Sequence, residues 1–267
     1  MHWTLDIATV WTERAVALAV FLQTIELLQC RAAFADAGIW SWPLLRREHG
    51  ALPAPLRGLF ALVLPYRAFL ALLGLQAVFA VLLGLGVSSA ATFLLFAHLA
   101  VCVRFRGTFN GGSDYLTMLI LMALSVAWLC GGRDNTLAGK AALAYIAVQV
   151  TLSYFIAGIA KLKEAAWRNG AALRAFVSSE GYGAPPFVRR LLDGPRRCLL
   201  LSWSVLAFEC GFPLAWVSPR WCLPLLAMGF VFHLGNSLVF GLNRFLFAWS
   251  AAYPALLFGS QLLAQAS

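Results

Sequence analysis

Long apolar stretches separated by short polar ones dominate the chain. Eight runs, approximately 14–34, 66–85, 88–103, 113–130, 139–160, 198–217, 221–242 and 245–263, approach or exceed the ~20 apolar residues that a helix needs to cross a bilayer. They predict an all-α fold: a polytopic transmembrane helix bundle of about eight spans, in one domain covering 1–267. Pro43, Pro53, Pro55 and Pro65 break the chain after the first run, because proline removes a backbone donor and ends helices. An interfacial connection is expected there. The one long connection, 161–197, mixes Trp167, Phe187 and an "APP" turn with many basic residues. That mixture predicts a basic amphipathic segment lying on the membrane or over a cavity. No internal repeat is visible, which argues against an inverted-repeat transporter.

Composition leaves one comfortable class. The 267 residues are 61% hydrophobic and 12% charged, against roughly 45–50% and about 25% in soluble domains. One soluble core of this length cannot hide the excess, so an integral membrane protein whose first partner is the lipid bilayer is expected. The net charge of +9 comes with no base-reading or phosphate-cradling motif, so nucleic acid is not an expected partner. The charge reads instead as a topology signal. With eight spans, Arg46, Arg47, Arg57, Arg104, Arg106, the eight Lys and Arg of 161–197, and Arg244 fall on one side. Arg14, Arg133, Lys140 and Arg220 fall on the other. The basic side is expected in the cytoplasm, with both termini outside.

Ionisable and polar residues at membrane depth are costly and mark function more often than elsewhere. The charged and titratable candidates are Glu26, His98, Asp114, Lys161, Glu209 and His233. On the fifth run Gln149, Ser153, Ala157 and Lys161 recur every four residues, which predicts one polar or small face ending in an amine. Desolvation there would favour a neutral amine, able to act as base or nucleophile. A lysine snorkelling from the helix end is the structural alternative. In "FHLGNSLVFG", His233, Asn236 and Ser237 share a face, with Glu209 of the sixth run as a candidate partner for His233. In "NGGSDYL", Asn110 belongs to a turn, Ser113 is placed to cap a helix, and Asp114 sits in its first turn; such a start can bind a polar headgroup. In the eight-span map these three features point to one membrane face, as a shared cavity requires.

Residues 154–170, "YFIAGIAKLKEAAWRNG", with "FHLGNSLVFGLNRFLFAWSAAYP" and "NGGSDYL", resemble in order and spacing the membrane blocks of the vitamin K-dependent γ-glutamyl carboxylases. Over about 100–260 the chain is similar to the bacterial HTTM (horizontally transferred transmembrane) family related to them. The resemblance implies a multi-pass protein of a bacterial inner membrane. It also implies that Lys161 is a catalytic base acting on a quinol that reacts with O2, with His233 as second catalytic residue. Asn110, Ser113, Asp114, Trp167, Glu209, Asn236 and Ser237 would then bind substrate or cofactor. Departures argue against γ-carboxylation itself. Ala160 stands where the carboxylases have the first lysine of a pair, and the turn histidine has no counterpart in "NGGSDYL". No counterpart of the large domain that holds their peptide substrate is expected within residues 1–267. The expected function is therefore a membrane enzyme acting on a lipid-soluble, quinol-like or peptide substrate. The alternative is a non-catalytic subunit, or a maturation partner of an exported peptide. The charge map makes one direct prediction: Ser178→Cys in intact cells should be labelled by membrane-permeant but not impermeant thiol reagents. Labelling from outside would overturn the map.

Overall fold

A computed structural model describes residues 2–105, 111–179, 181 and 184–266, and among them every regular element is helical. The chain forms two compact units, residues 9–142 and residues 1–8 with 143–267. The helices are α1 (Leu5–Gln29), α2 (Arg31–Phe34), α3 (Trp42–Leu45), α4 (Ala54–Val63), α5 (Tyr66–Gly84), α6 (Ala90–Phe105), α7 (Gly111–Leu129), α8 (Thr136–Lys163), α9 (Ala165–Arg168), α10 (Ala171–Ser178), α11 (Pro186–Leu191), α12 (Pro195–Gly211), α13 (Pro219–Phe240) and α14 (Asn243–Ala266).

All eight apolar runs are helical. Six of the helices, α5, α7, α8, α12 with its 3-10 extension to Trp216, α13 and α14, are long and apolar enough to cross a membrane. The remaining runs fall in α1, which carries Asp6, Glu13, Arg14 and Glu26, and in α6, which has 16 residues. The apolar residues that point outward suit lipid: Leu223, Val231 and Leu238 of α13 are all well exposed. In the unit containing both chain ends, the Trp3 amide donates to Gln261 Oε1 at 2.7 Å, and His2 meets Gln265. Residues 2–3 and 261–265 are thus neighbours, which requires an even number of crossings between them.

Helix boundaries follow local chemistry. Asn135 caps α8 by accepting from the Ala138 amide, and Ser218 caps α13 by accepting from the Arg220 amide, with Pro219 at the first helical position. At the other end of α13, Gly241 is left-handed, and the amides of Gly241 and Leu242 return to Ser237 O and Asn236 O. Pro213 ends α12, and the chain tightens into a 3-10 turn over Phe212–Trp216. That turn is locked by Trp216, whose indole donates to Thr151 Oγ1 at 2.8 Å.

The connection 161–197 is not a solvated loop. It folds into α9, α10 and α11, with Val177, Ala184 and Val188 packed against Leu192, Val239 and Phe240. Its outward side carries the loose Arg174–Asp193 pair at 3.8 Å together with the exposed side chains of Phe187 and Leu191.

In the unit 9–142, Arg104 departs from its expected role as a loop cation. It is fully buried. Its guanidinium donates to Phe34 O at 2.7 Å, Leu64 O at 3.2 Å and Trp40 O, and lies 5.5 Å from the ring centroids of Phe34 and Phe69. Its five N–H donors, held in a planar fork, can serve several acceptors at once. It therefore ties together the backbone before and after the Pro-rich connection 41–63. Arg104→Met should leave carbonyls without donors, at about 1–3 kcal/mol for each one that stays buried. We expect a clearly lower melting temperature for the full-length protein in detergent, only partly recovered by Arg104→Lys. A wild-type melting temperature for Arg104→Met would show that the clamp is dispensable.

Candidate functional site

The unit of residues 1–8 and 143–267 assembles the candidate site from α8, α12, α13 and α14. Lys161 lies in the last turn of α8. Its Nζ donates to both carboxylate oxygens of Glu209, at 2.6 and 2.7 Å. The Glu209 side chain is 3% exposed and that of Lys161 23%, so the carboxylate is sealed and the amine keeps an open edge. The Trp167 ring lies 5.4 Å from the ammonium, within cation–π range. Two glycines make this approach possible. A Cβ on Gly158 would stand 2.8 Å from Cys210 N and 2.9 Å from Glu209 Cβ. Gly170 has φ +79° and abuts the backbone of Cys198 and Leu199, which lets the chain turn after Trp167 and run back along α12. Ser202 completes the turn by donating to Trp167 O.

Two turns before Lys161, Tyr154 opens a second polar group. His233 Nε2 is 2.8 Å from Tyr154 Oη, which is 3.0 Å from Tyr253 Oη. The rings of Trp249, Phe232 and Phe245 surround His233, at centroid distances of 5.0, 5.1 and 6.4 Å. His233 is 3% exposed, and its Nδ1 has no hydrogen-bond partner among the described residues. Whichever tautomer is present, one buried ring nitrogen is left without a mate. Trp249 in turn donates to Ser153 Oγ at 3.1 Å. The two groups belong to one neighbourhood: Tyr154 and Lys161 are seven residues apart, about 10 Å along the helix.

The structure changes two expected pairings. Glu209 is taken by Lys161 and not by His233, whose partner is Tyr154. The four-residue stripe Gln149–Ser153–Ala157–Lys161 does not form the inner face of α8. A strict spacing of four advances about 40° per step on a 3.6-residue helix, so Gln149 and Lys161 diverge by about 120°. The buried line is instead Ala147, Val150, Tyr154 and Gly158, which leads to Lys161. Tyr154 is the functional candidate that the stripe missed, and its seven-residue spacing to Lys161 is the signal that finds it. Tyr253 carried no such signal.

Asn236 and Ser237 are half-buried, one turn beyond His233 on α13. Ser113 and Asp114 are buried in the other unit. There Gln23 Nε2 donates to Asp114 Oδ1 at 2.9 Å, and His98 Nε2 lies 3.0 Å from Asp114 O. Glu26 is half-buried on α1. Asn110 lies outside the described residues.

With this geometry in hand, the chain matches the HTTM domain over residues 63–261. No curated protein and no solved structure matches it.

The close approach at Gly158 gives a stability prediction. Gly158→Ala must push α12 away, and overpacking of this kind costs about 1–3 kcal/mol. It should lower the melting temperature and loosen the Lys161–Glu209 contact. Gly235→Ala, with nothing within 4 Å of the added methyl, should be neutral or stabilising by up to ~1 kcal/mol. Equal melting temperatures for both variants would contradict the packing shown here.

Proposed function

The chain belongs to the HTTM family and is an integral membrane protein, and we propose that it is an enzyme of a bacterial plasma membrane that moves a proton to or from a lipid-soluble substrate at Lys161. The observation that carries this reading is the Lys161–Glu209 pair, a sealed carboxylate holding an amine that keeps an open edge. In a low-dielectric site such a pair can hold its proton as ammonium and carboxylate or as amine and carboxylic acid, both with zero net charge. The second form presents a lone pair on Nζ, which is what a general base needs. When the amine of this second form takes the substrate's proton, the pair becomes ammonium and carboxylic acid with a charge of +1, balanced by the substrate anion beside it, so no lone charge is stranded in the membrane.

A quinol-like substrate fits the residues present. Its aromatic body suits the rings around His233, and a polar head suits the unpartnered His233 Nδ1. When bound, such a molecule supplies an acidic hydroxyl. This chain's part is to orient it, exclude water and receive the proton. The Tyr154–Tyr253 hydroxyl pair fixes the His233 ring from the far side. A peptide substrate remains compatible with the partly open edge of Lys161. The alternative, a membrane subunit without catalysis, needs the pair only as a structural tie.

The two readings separate in a double-mutant cycle. Lys161→Met alone strands a buried carboxylate, at about 3–5 kcal/mol, so reduced membrane abundance is expected whatever the function. Lys161→Met combined with Glu209→Met removes both charges and should restore abundance and melting temperature. An enzyme with Lys161 as base would then be folded but inactive, down about 10²–10⁴-fold, measured as rescue of the phenotype of a strain lacking the gene. Lys163→Met, on an exposed side chain, should change neither readout. A folded double variant with normal rescue would sink the catalytic reading and leave the structural tie.

A further inference from the structure

The Pro-rich connection 41–63 builds a second site, far in sequence from Lys161. Within it, residues on α3, α4 and the short 3-10 turn between them shape a half-open cavity of about 360 Å³ lined by Trp42, Arg46, Arg47, His49, Arg57 and Phe60. His49 donates from Nδ1 to Leu45 O at 2.8 Å and sits between Trp42 and Phe60, at 5.9 and 5.4 Å between ring centroids. Its Nε2 is thereby left for another partner. Arg57 spends one donor on Gly50 O, and among the described residues Arg46 and Arg47 make no side-chain hydrogen bond or ion pair. The single acidic residue between 41 and 67 is Glu48, and it is engaged with another group. A concentration of guanidinium groups with unspent donors, over an aromatic floor, is the chemistry that recognises a phosphate.

The flanking helix says where that phosphate comes from. At ten residues, α4 is too short to span a bilayer. Its exposed Leu56, Leu59 and Leu62 lie on the side opposite Arg57, Phe60 and Ala61. A short helix with such a face lies in the membrane interface with its leucines among the acyl chains. The arginine cavity is then held at headgroup depth. Arg104, by binding Trp40 O and Leu64 O, fixes both ends of the segment. We propose that this cavity is a binding site for the phosphate of an anionic phospholipid.

The test uses the full-length chain in neutral detergent, titrated separately with phosphatidylglycerol, phosphatidylcholine and inorganic phosphate, with affinities read by native mass spectrometry. Phosphatidylglycerol should bind about tenfold or more tightly than phosphatidylcholine, and inorganic phosphate should not compete. Arg46→Gln with Arg57→Gln should weaken phosphatidylglycerol about 25-fold, near fivefold per arginine, the weight of one basic group beside an anionic membrane surface. Arg196→Gln with Arg197→Gln removes the same charge elsewhere and should leave that affinity unchanged. Should the first pair fail to fold, Arg46→Lys with Arg57→Lys keeps the charge, and a severalfold loss is expected because an ammonium cannot chelate two phosphate oxygens. Equal affinity for the two lipids, wild-type affinity in the Arg46/Arg57 variants, or competition by inorganic phosphate would overturn the lipid site.

Discussion

A charge can enter an apolar helix bundle only if other groups answer its field there, and among the described residues each of the two units shows a basic side chain answered in this way. In one unit Glu209 answers Lys161 with both carboxylate oxygens. In the other, backbone carbonyls from Phe34, Trp40 and Leu64 answer Arg104. The two solutions differ in kind. Carbonyls cannot take up a proton, so Arg104 is a fixed cation and a structural clamp. A carboxylate can, so the Lys161 pair is able to change state. That difference, more than depth or burial, separates a structural cation from a candidate for chemistry.

The geometry around Lys161 shows how little of a helix is needed to define such a site. One missing methyl at Gly158 lets α12 come close enough for Glu209 to reach the amine. A left-handed Gly170 returns the chain so that Trp167 underlies the same amine. The spacing from Lys161 through Trp167 to Gly170 is thus a set of packing requirements, each tied to a particular contact.

The helices were legible because long apolar runs have few other stable forms in a membrane. Their number as spans was less so: α1 is long but carries charge, and α6 is apolar but short. Lys161, Glu209 and His233 stood out as ionisable residues in apolar surroundings. Their pairing did not, because Glu209 lies 48 positions and His233 72 positions beyond Lys161 in the sequence, and only the fold decides which faces meet. Tyr154 was overlooked because a tyrosine in an apolar run resembles core filling. Arg104 looked like a loop charge because it ends α6, and nothing in its neighbours announces three distant carbonyls. The prolines announced a break in the chain over 41–63, but the cavity there depends on the way 3-10 and α-turns bring Arg46, Arg47 and Arg57 together.

The length of α8 has a consequence for the amine at its end. Its 28 residues measure about 42 Å at 1.5 Å per residue, against about 30 Å of hydrocarbon. The helix must lean over or project from the oily layer. Lys161 is two residues from its last one, so it stands close to the boundary with the headgroups in either case. A group there exchanges protons with the aqueous phase over a short distance, while Tyr154 and His233, about two turns deeper, stay dry. The helix thus joins an end near the headgroups to a buried interior along a single face.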